Sequence, residues 1–296
     1  MNQKNIIGGV YALISIIAGS SMFIACKIAY EATLGGFTLL FFRYILATLV
    51  LFIIYRNRPK PTLTKSDKKS ILFIGIFGYW FSISLVLIGA AYCDASTAAI
   101  ISSLNPIGMI LFGAIFLKEK SNLGKITGVL VSVVGSIIVI GAVGEGNTVF
   151  GIAISFCSMV RWALTSAFIR KSCTSIDAVW LTIYATTVGM ICDIPFAVGE
   201  MIIGDFELHS YTAPVLFAIV WIGIVSTAGA NLWWSKALEI LPLTTCSLSF
   251  SLMPVTSTIL SVIILKEVLT IKFLIGCFVI MIGIIVALLS DSRAKE

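Results

Sequence analysis

Hydrophobic positions in this chain gather into long apolar runs, and polar positions into short breaks of charged and turn-forming residues. An apolar helix needs about 20 residues to cross the hydrocarbon core of a bilayer. Divided at its polar breaks, the sequence predicts ten such helices, roughly at 7 to 29, 36 to 55, 71 to 91, 95 to 117, 124 to 142, 149 to 169, 177 to 200, 214 to 237, 243 to 265 and 272 to 289, each end good to a few residues. The expected fold class is an all-α membrane protein.

A second pattern lies over the first. Pro106, Leu117, Lys118, Glu119, Gly128 and Gly135 recur 148 positions later as Pro254, Leu265, Lys266, Glu267, Gly276 and Gly283. A repeat that carries a mid-helix proline, a charged pair at a helix end and two helix glycines fixes backbone breaks and packing faces, so it implies two matched halves. The halves are read as 1–146, a first five-helix repeat, and 147–296, a second. Five is odd, so the second half runs through the membrane in the opposite sense. Inverted repeats of this kind place a substrate site near the midplane at their interface, with alternating access by rocking of one half against the other.

Composition makes lipid the solvent. With 59% hydrophobic and 11% charged residues among 296, and a mean hydropathy of +1.08, a water-soluble fold could not hide the apolar side chains. The net charge of +6 sits in short loops, where it reports orientation and not nucleic-acid binding. The longest polar connection, Arg56 to Ser70, holds Arg56, Arg58, Lys60, Lys65, Lys68 and Lys69 and is expected in the cytoplasm. That choice puts both termini inside and leaves fifteen lysines and arginines on the cytoplasmic side against three outside, Lys27, Lys266 and Lys272. The first apolar run has only Lys4 before it and lacks a small-residue cleavage site, so it reads as a helix that is retained. The seven cysteines have no CxxC or CxxH spacing, and neither a disulfide framework nor a metal site is expected.

The candidate functional residues are those out of place in lipid. Arg161 lies about 18 Å into its helix at 1.5 Å per residue, near the bilayer centre, where an unpartnered arginine costs at least about 2.5 to 3.5 kcal/mol. It is expected to bind substrate, with a structural ion pair to Asp193 as the alternative. Arg43 is nearer the outer end of its span, where snorkelling to the interface competes with substrate binding. Asp193 is the one carboxylate well inside a span, next to Pro195, and is a candidate for ion coupling or for neutralising Arg161 or Arg43. Tyr79, Trp80 and Trp162 fall at membrane depth rather than at the interface that tyrosine and tryptophan favour, so they are candidate cavity aromatics. Ser20, Ser84, Ser102 and Asn231 complete the set as polar anchors. Pro106 and Pro254 should free the carbonyls of Ser102 and Phe250 and act as hinges or gates. The plain role of Lys118-Glu119 and Lys266-Glu267 is capping and anchoring of helix ends, and that of the glycines is close helix packing.

The doubled segment from Asn105-Pro106 through Leu117-Lys118-Glu119 to Gly128 and Gly135, repeated from Met253-Pro254 to Gly283, resembles the EamA-type drug/metabolite transporter superfamily along nearly the whole chain. The resemblance implies a ten-helix carrier of amino acids and other small metabolites, with a central cavity between the halves and the last helix of each half at the periphery. Where small multidrug relatives carry a glutamate in the first helix, this chain has Ser20-Ser21-Met22-Phe23 and, in the second half, Arg161-Trp162.

The resulting expectation is a secondary transporter of small polar metabolites, amino acids or related carboxylates. The alternative is an exporter of cationic or aromatic compounds through an aromatic cage. No enzyme is expected, because the one histidine, His209, lies in a loop and no HExxH or paired carboxylates occur. No GxxxxGK[ST] loop is present and no cofactor is expected. The expected partners are a small-molecule substrate and membrane lipid, with no nucleic acid, in a monomer or homodimer. The expected location is a bacterial inner (plasma) membrane.

Overall fold

The predicted helices can be followed in a computed structural model of the chain, which describes residues 3–30, 35–85, 104–119, 122–140, 149–203, 212–265 and 271–293. Among them every regular element is an α- or π-helix. In chain order these are α1 (Gln3–Tyr30), α2 (Gly36–Tyr55), α3 (Lys65–Phe73) with a π segment (Ile74–Trp80), α4 (Asn105–Leu117), α5 (Leu123–Ile140), α6 (Val149–Ser172), α7 (Ala178–Ile203), α8 (Ala213–Trp221) with a second π segment (Ile222–Gly229), α9 (Ala230–Ile240), α10 (Leu243–Phe250), α11 (Met253–Leu265) and α12 (Ile271–Arg293). Each of the ten apolar runs contains a described helix. Five described helices are long and apolar enough to cross a membrane, among them Gly36–Tyr55, Ala178–Ile203 and Ala213–Ile240. They display large apolar side chains on one face: Ile6, Ile7, Val10, Leu13, Ile14 and Ile17 of α1 are all exposed, while Ala12, Ser15 and Ile16 are buried. An outward stripe of this kind suits lipid and not water.

The chain divides into two compact units, Met1–Ser84 with Phe168–Ile240 and Leu85–Ala167 with Leu241–Glu296. Each draws helices from both halves of the sequence. The boundary read between 146 and 147 lies outside the described residues, as do Ser102, Lys266 and Glu267.

In the first unit, α1, α2 and α8 share a core of Ala25, Ala29, Leu39, Val215, Ala218, Ile219 and Ile222. The two π segments begin at Ile74 and Ile222, which are 148 positions apart. Their glycines are matched as well. A Cβ on Gly75 would lie 2.6 Å from the Val188 side chain of α7, and one on Gly223 would lie 2.6 Å from Leu46 of α2. The second helix of each half therefore packs against the π segment of the other half, at a distance only glycine permits. Periodicity had not predicted the π segments.

At the polar end of α3, Thr64 and Asp67 form a reciprocal capping box: the Asp67 N–H donates to Thr64 Oγ1 at 3.2 Å and the Thr64 N–H to Asp67 Oδ2 at 2.9 Å. Thr64 Oγ1 and Ser175 Oγ add bonds to the carboxylate, each at 2.8 Å. The Thr64 amide first, then the two hydroxyls, hold the Asp67 carboxyl below its usual range. A carboxyl held low in the folded state adds stability above its ordinary value of about 3.9, and that stability is lost as pH falls through the depressed value. The melting-temperature gap between wild type and Asp67→Ala should thus be full above about pH 5 and should close on further acidification. A gap that widens on acidification would contradict this assignment.

In the second unit α5 and α12, the last helices of the two halves, form a seam of small residues. A Cβ on Gly128 would lie 2.5 Å from the Gly283 carbonyl oxygen, and one on Gly135 would lie 2.9 Å from that of Gly276. Ser132 Oγ donates to the Ile280 carbonyl across the seam at 3.3 Å. The repeated glycines thus pack against one another, as the packing role requires. Pro106 occupies the first turn of α4, where its missing N–H costs nothing. The last span before α12 is interrupted: α10 stops at Phe250, Ser251 and Leu252 form a turn, and α11 restarts with Pro254 as its second residue. Pro254 therefore stands just beyond a backbone break, and Pro106 at the start of a helix.

Candidate functional site

The polar interior of the first unit is organised around the two π segments. A π turn adds a residue to the helical ladder and frequently marks a functional position. In the second segment, Thr227 Oγ1 donates to the Ile222 carbonyl, five residues back, at 2.7 Å and accepts from Arg43 Nε of α2 at 3.0 Å. In the first, Trp80 Nε1 donates to Asp193 Oδ1 of α7 at 3.1 Å. A charged residue on the second helix of each half thereby bonds the π segment of the other half. Arg43 is 7% exposed, so the snorkelling alternative is set aside; its guanidinium lies 5.7 Å from the Tyr44 ring centroid. Asp193 is wholly buried, and Arg43 and Glu200 lie within its electrostatic reach.

The remaining candidates divide between the units. Tyr79 is buried beside Trp80, and the Trp80 ring packs 5.0 Å from that of Phe196. Ser84 is not a free anchor: its hydroxyl donates to the Trp80 carbonyl at 2.9 Å and helps close the π segment. Ser20 is fully buried in α1 and Asn231 half-buried at the second position of α9. These seven residues, Ser20, Arg43, Tyr79, Trp80, Ser84, Asp193 and Asn231, belong to the first unit. Arg161 and Trp162, both half-buried in α6, belong to the second, with Pro106 and Pro254. Among the described residues Asp193 accepts a hydrogen bond from Trp80 and forms no ion pair with an arginine.

Other contacts have no counterpart in the sequence reading. Glu119 does more than close α4: its carboxylate accepts from the Leu243 and Thr244 amides at 2.8 and 3.0 Å, capping the N-terminus of α10. Lys125, counted among the loop cations, is 3% exposed and donates to the Thr244 and Thr245 hydroxyls. Glu200 accepts from the Thr38 amide at 2.6 Å and so caps α2. Lys236 stands between Tyr11 and Tyr55, 5.3 and 6.0 Å from their ring centroids, instead of reaching for headgroups.

Residues 6–141 and again 149–289 match the EamA-like transporter family. The chain belongs to that family. As a member it is an integral membrane protein with a transport function, and its relatives carry the names of transporters, not of enzymes. It is 23% identical over 301 residues to an uncharacterized transporter of Clostridium kluyveri, covering 98% of this chain and 95% of that protein. It is 28% identical over 220 residues to an uncharacterized transporter of Archaeoglobus fulgidus, covering 74% and 76% respectively. One solved crystal structure superimposes with a TM-score of 0.81 at 18% identity over 98% of this chain and 99% of the other, which establishes a shared fold.

Proposed function

We propose that this EamA-family member is a secondary carrier of small polar metabolites, amino acids or related carboxylates, that works by alternating access between two inverted five-helix repeats, 1–146 and 147–296. The observation that carries the reading is the exchange of bonds across the repeat: Arg43 to the π segment of the second half, and Trp80 of the first half to Asp193. Ionisable side chains at membrane depth are costly and mark functional sites by default, and inverted-repeat carriers place such sites where the repeats meet. The two consecutive family matches and the 148-residue recurrence support the inverted arrangement. Cationic side chains at membrane depth, buried Arg43 and half-buried Arg161, suit a carboxylate substrate, and Trp80, Trp162 and Tyr79 are the aromatics proposed for its apolar part. Pro106 and Pro254 serve as hinges, each in the first turn of its helix, and Asp193 is the candidate coupling group. The carrier sits in a bacterial inner membrane with both termini in the cytoplasm, an orientation that the lysine and arginine asymmetry supports.

Reconstituted into proteoliposomes, Arg161→Ala should lower uptake of its amino-acid or carboxylate substrate by about 100-fold, the worth of a lost charge-assisted contact of roughly 2.7 kcal/mol. Unchanged uptake of every amino acid and carboxylate tried would remove Arg161 as anchor. A second reading, export of cationic or aromatic compounds, is favoured by the buried Asp193 carboxyl among Tyr44, Tyr79 and Trp80. It predicts resistance to such compounds on overexpression.

A further inference from the structure

Asp193 and Tyr44 present two buried polar groups that the contacts described so far leave incomplete. Asp193 is the sixteenth residue of α7, about 24 Å from its start at 1.5 Å per residue. Its Oδ1 accepts from Trp80 Nε1, whereas Oδ2 is buried with no hydrogen-bond partner among the described residues. The Tyr44 hydroxyl, on fully buried α2 backbone and ring, likewise has none among the described residues. Arg43, the cation within reach, commits its Nε to Thr227, and no ion pair joins it to Asp193 among the described residues. A carboxylate in this position would face lipid-depth burial with a single neutral donor, and buried charges are tolerated only when paired and hydrogen-bonded. A carboxylic acid has no such difficulty. The added proton sits on the oxygen that lacks a bond and turns it from acceptor to donor.

We infer that Asp193 is a proton-binding site, and that the indole of Trp80 is the latch that closes over it from the first π segment. The proton balance is simple: with the latch closed Oδ2 carries the proton, and when the site opens to water that proton leaves to solvent, the carboxylate taking water and Arg43 as its new neighbours. The titratable and charged groups that face it are Arg43 and Tyr44 from α2 and Cys192 and Glu200 on α7 itself, while Tyr79 of the π segment lies beyond Tyr44 and bonds Ser235. The titratable groups of α3 and α9 lie toward the other end of α7, where Asp67 meets Ser175 and the Thr182 hydroxyl bonds Ser235, eleven residues before Asp193. Pro195 adds a free carbonyl within the same stretch by removing a ladder bond. The site gives the carrier proposed above an ion to couple to, and rests on that reading for its purpose alone.

The test needs no substrate. Infrared spectra of the purified full chain in lipid nanodiscs, recorded as pH is raised from about 5 to about 9, a range above ordinary carboxyl titration, report the carbonyl stretch of carboxylic acids that stay protonated. The expected result is a band present at neutral pH in wild type and missing in Asp193→Asn. Trp80→Phe, which keeps the ring and removes the indole donor, should retain the band at a shifted frequency, because the hydrogen bond to Oδ1 is gone. A wild-type spectrum without the band at neutral pH, or an Asp193→Asn spectrum that keeps it, overturns the assignment; so does Trp80→Phe with an unmoved band. Loss of amino-acid flux in the Arg161 experiment would leave these spectra unaltered, so the two ideas fail separately.

Discussion

Gly128→Leu is expected to destabilise the folded protein strongly. An ideal Cβ at 128 would stand 2.5 Å from the Gly283 carbonyl oxygen, 2.6 Å from the Ala287 amide nitrogen and 2.7 Å from the Ala287 methyl. Two of those atoms are backbone of α12, so no side-chain rotation relieves the clash and α5 must back away. The seam would then lose its close glycine contacts and the Ser132 to Ile280 bond together. Overpacking a tight interior costs about 1–3 kcal/mol where side chains can adjust, and more where they cannot, so about 3 kcal/mol or more is expected. In detergent this corresponds to a fall in melting temperature of roughly 6–12 °C, accompanied by loss of the single size-exclusion peak. Gly9→Leu on α1 is the control, because nothing lies within 4 Å of a Cβ there. Equal melting temperatures for the two variants would show that the seam is not tightly packed in solution.

The packing role of the glycines was legible in the sequence because small residues in an apolar helix let helices approach closely, whereas the meeting of the two recurring sets is a property of the fold. The span boundaries were legible for a similar reason: the runs read at 36 to 55 and 243 to 265 end where the helices do, since charged and turn residues are costly in lipid. The π segments were hidden. Uniformly apolar runs have no polar face, so an extra residue per turn leaves no phase change to detect. Arg43 was judged by its distance from the helix end, yet its fate was set by Thr227, which the chain brings up 184 positions later. Asp193 stood out as a lone carboxylate in an apolar run, while its partner Trp80 stood out as a misplaced aromatic; that the two meet is a property of the fold.

Glu119 shows the same limit and gives the second large effect. Lys118 adopts a left-handed conformation with φ of 52°, and the Glu119 amide bonds back to the Gly113 carbonyl at 3.1 Å, a Schellman-type closure of α4. That closure turns the chain so that the carboxylate of Glu119 meets the first amides of α10, where the helix dipole is positive and the amides have no partner within their own helix. Gly113 lets the two elements approach closely, since a Cβ there would stand 3.1 Å from the Thr244 methyl and 3.3 Å from Glu119 Oε2. Two charge-assisted bonds at about 1.5–3 kcal/mol each, discounted for partial exposure, put the cost of Glu119→Ala at about 2–4 kcal/mol. Glu119→Gln keeps one acceptor oxygen and sets an NH2 against the other amide, so it should recover less than half of the loss. Replacing Lys118 by glycine, which adopts positive φ freely, should leave the cap intact and raise stability by about 1 kcal/mol. If Glu119→Ala melts with wild type while Lys118→Gly is the more damaging change, α4 ends by its own backbone geometry and the cap on α10 contributes nothing.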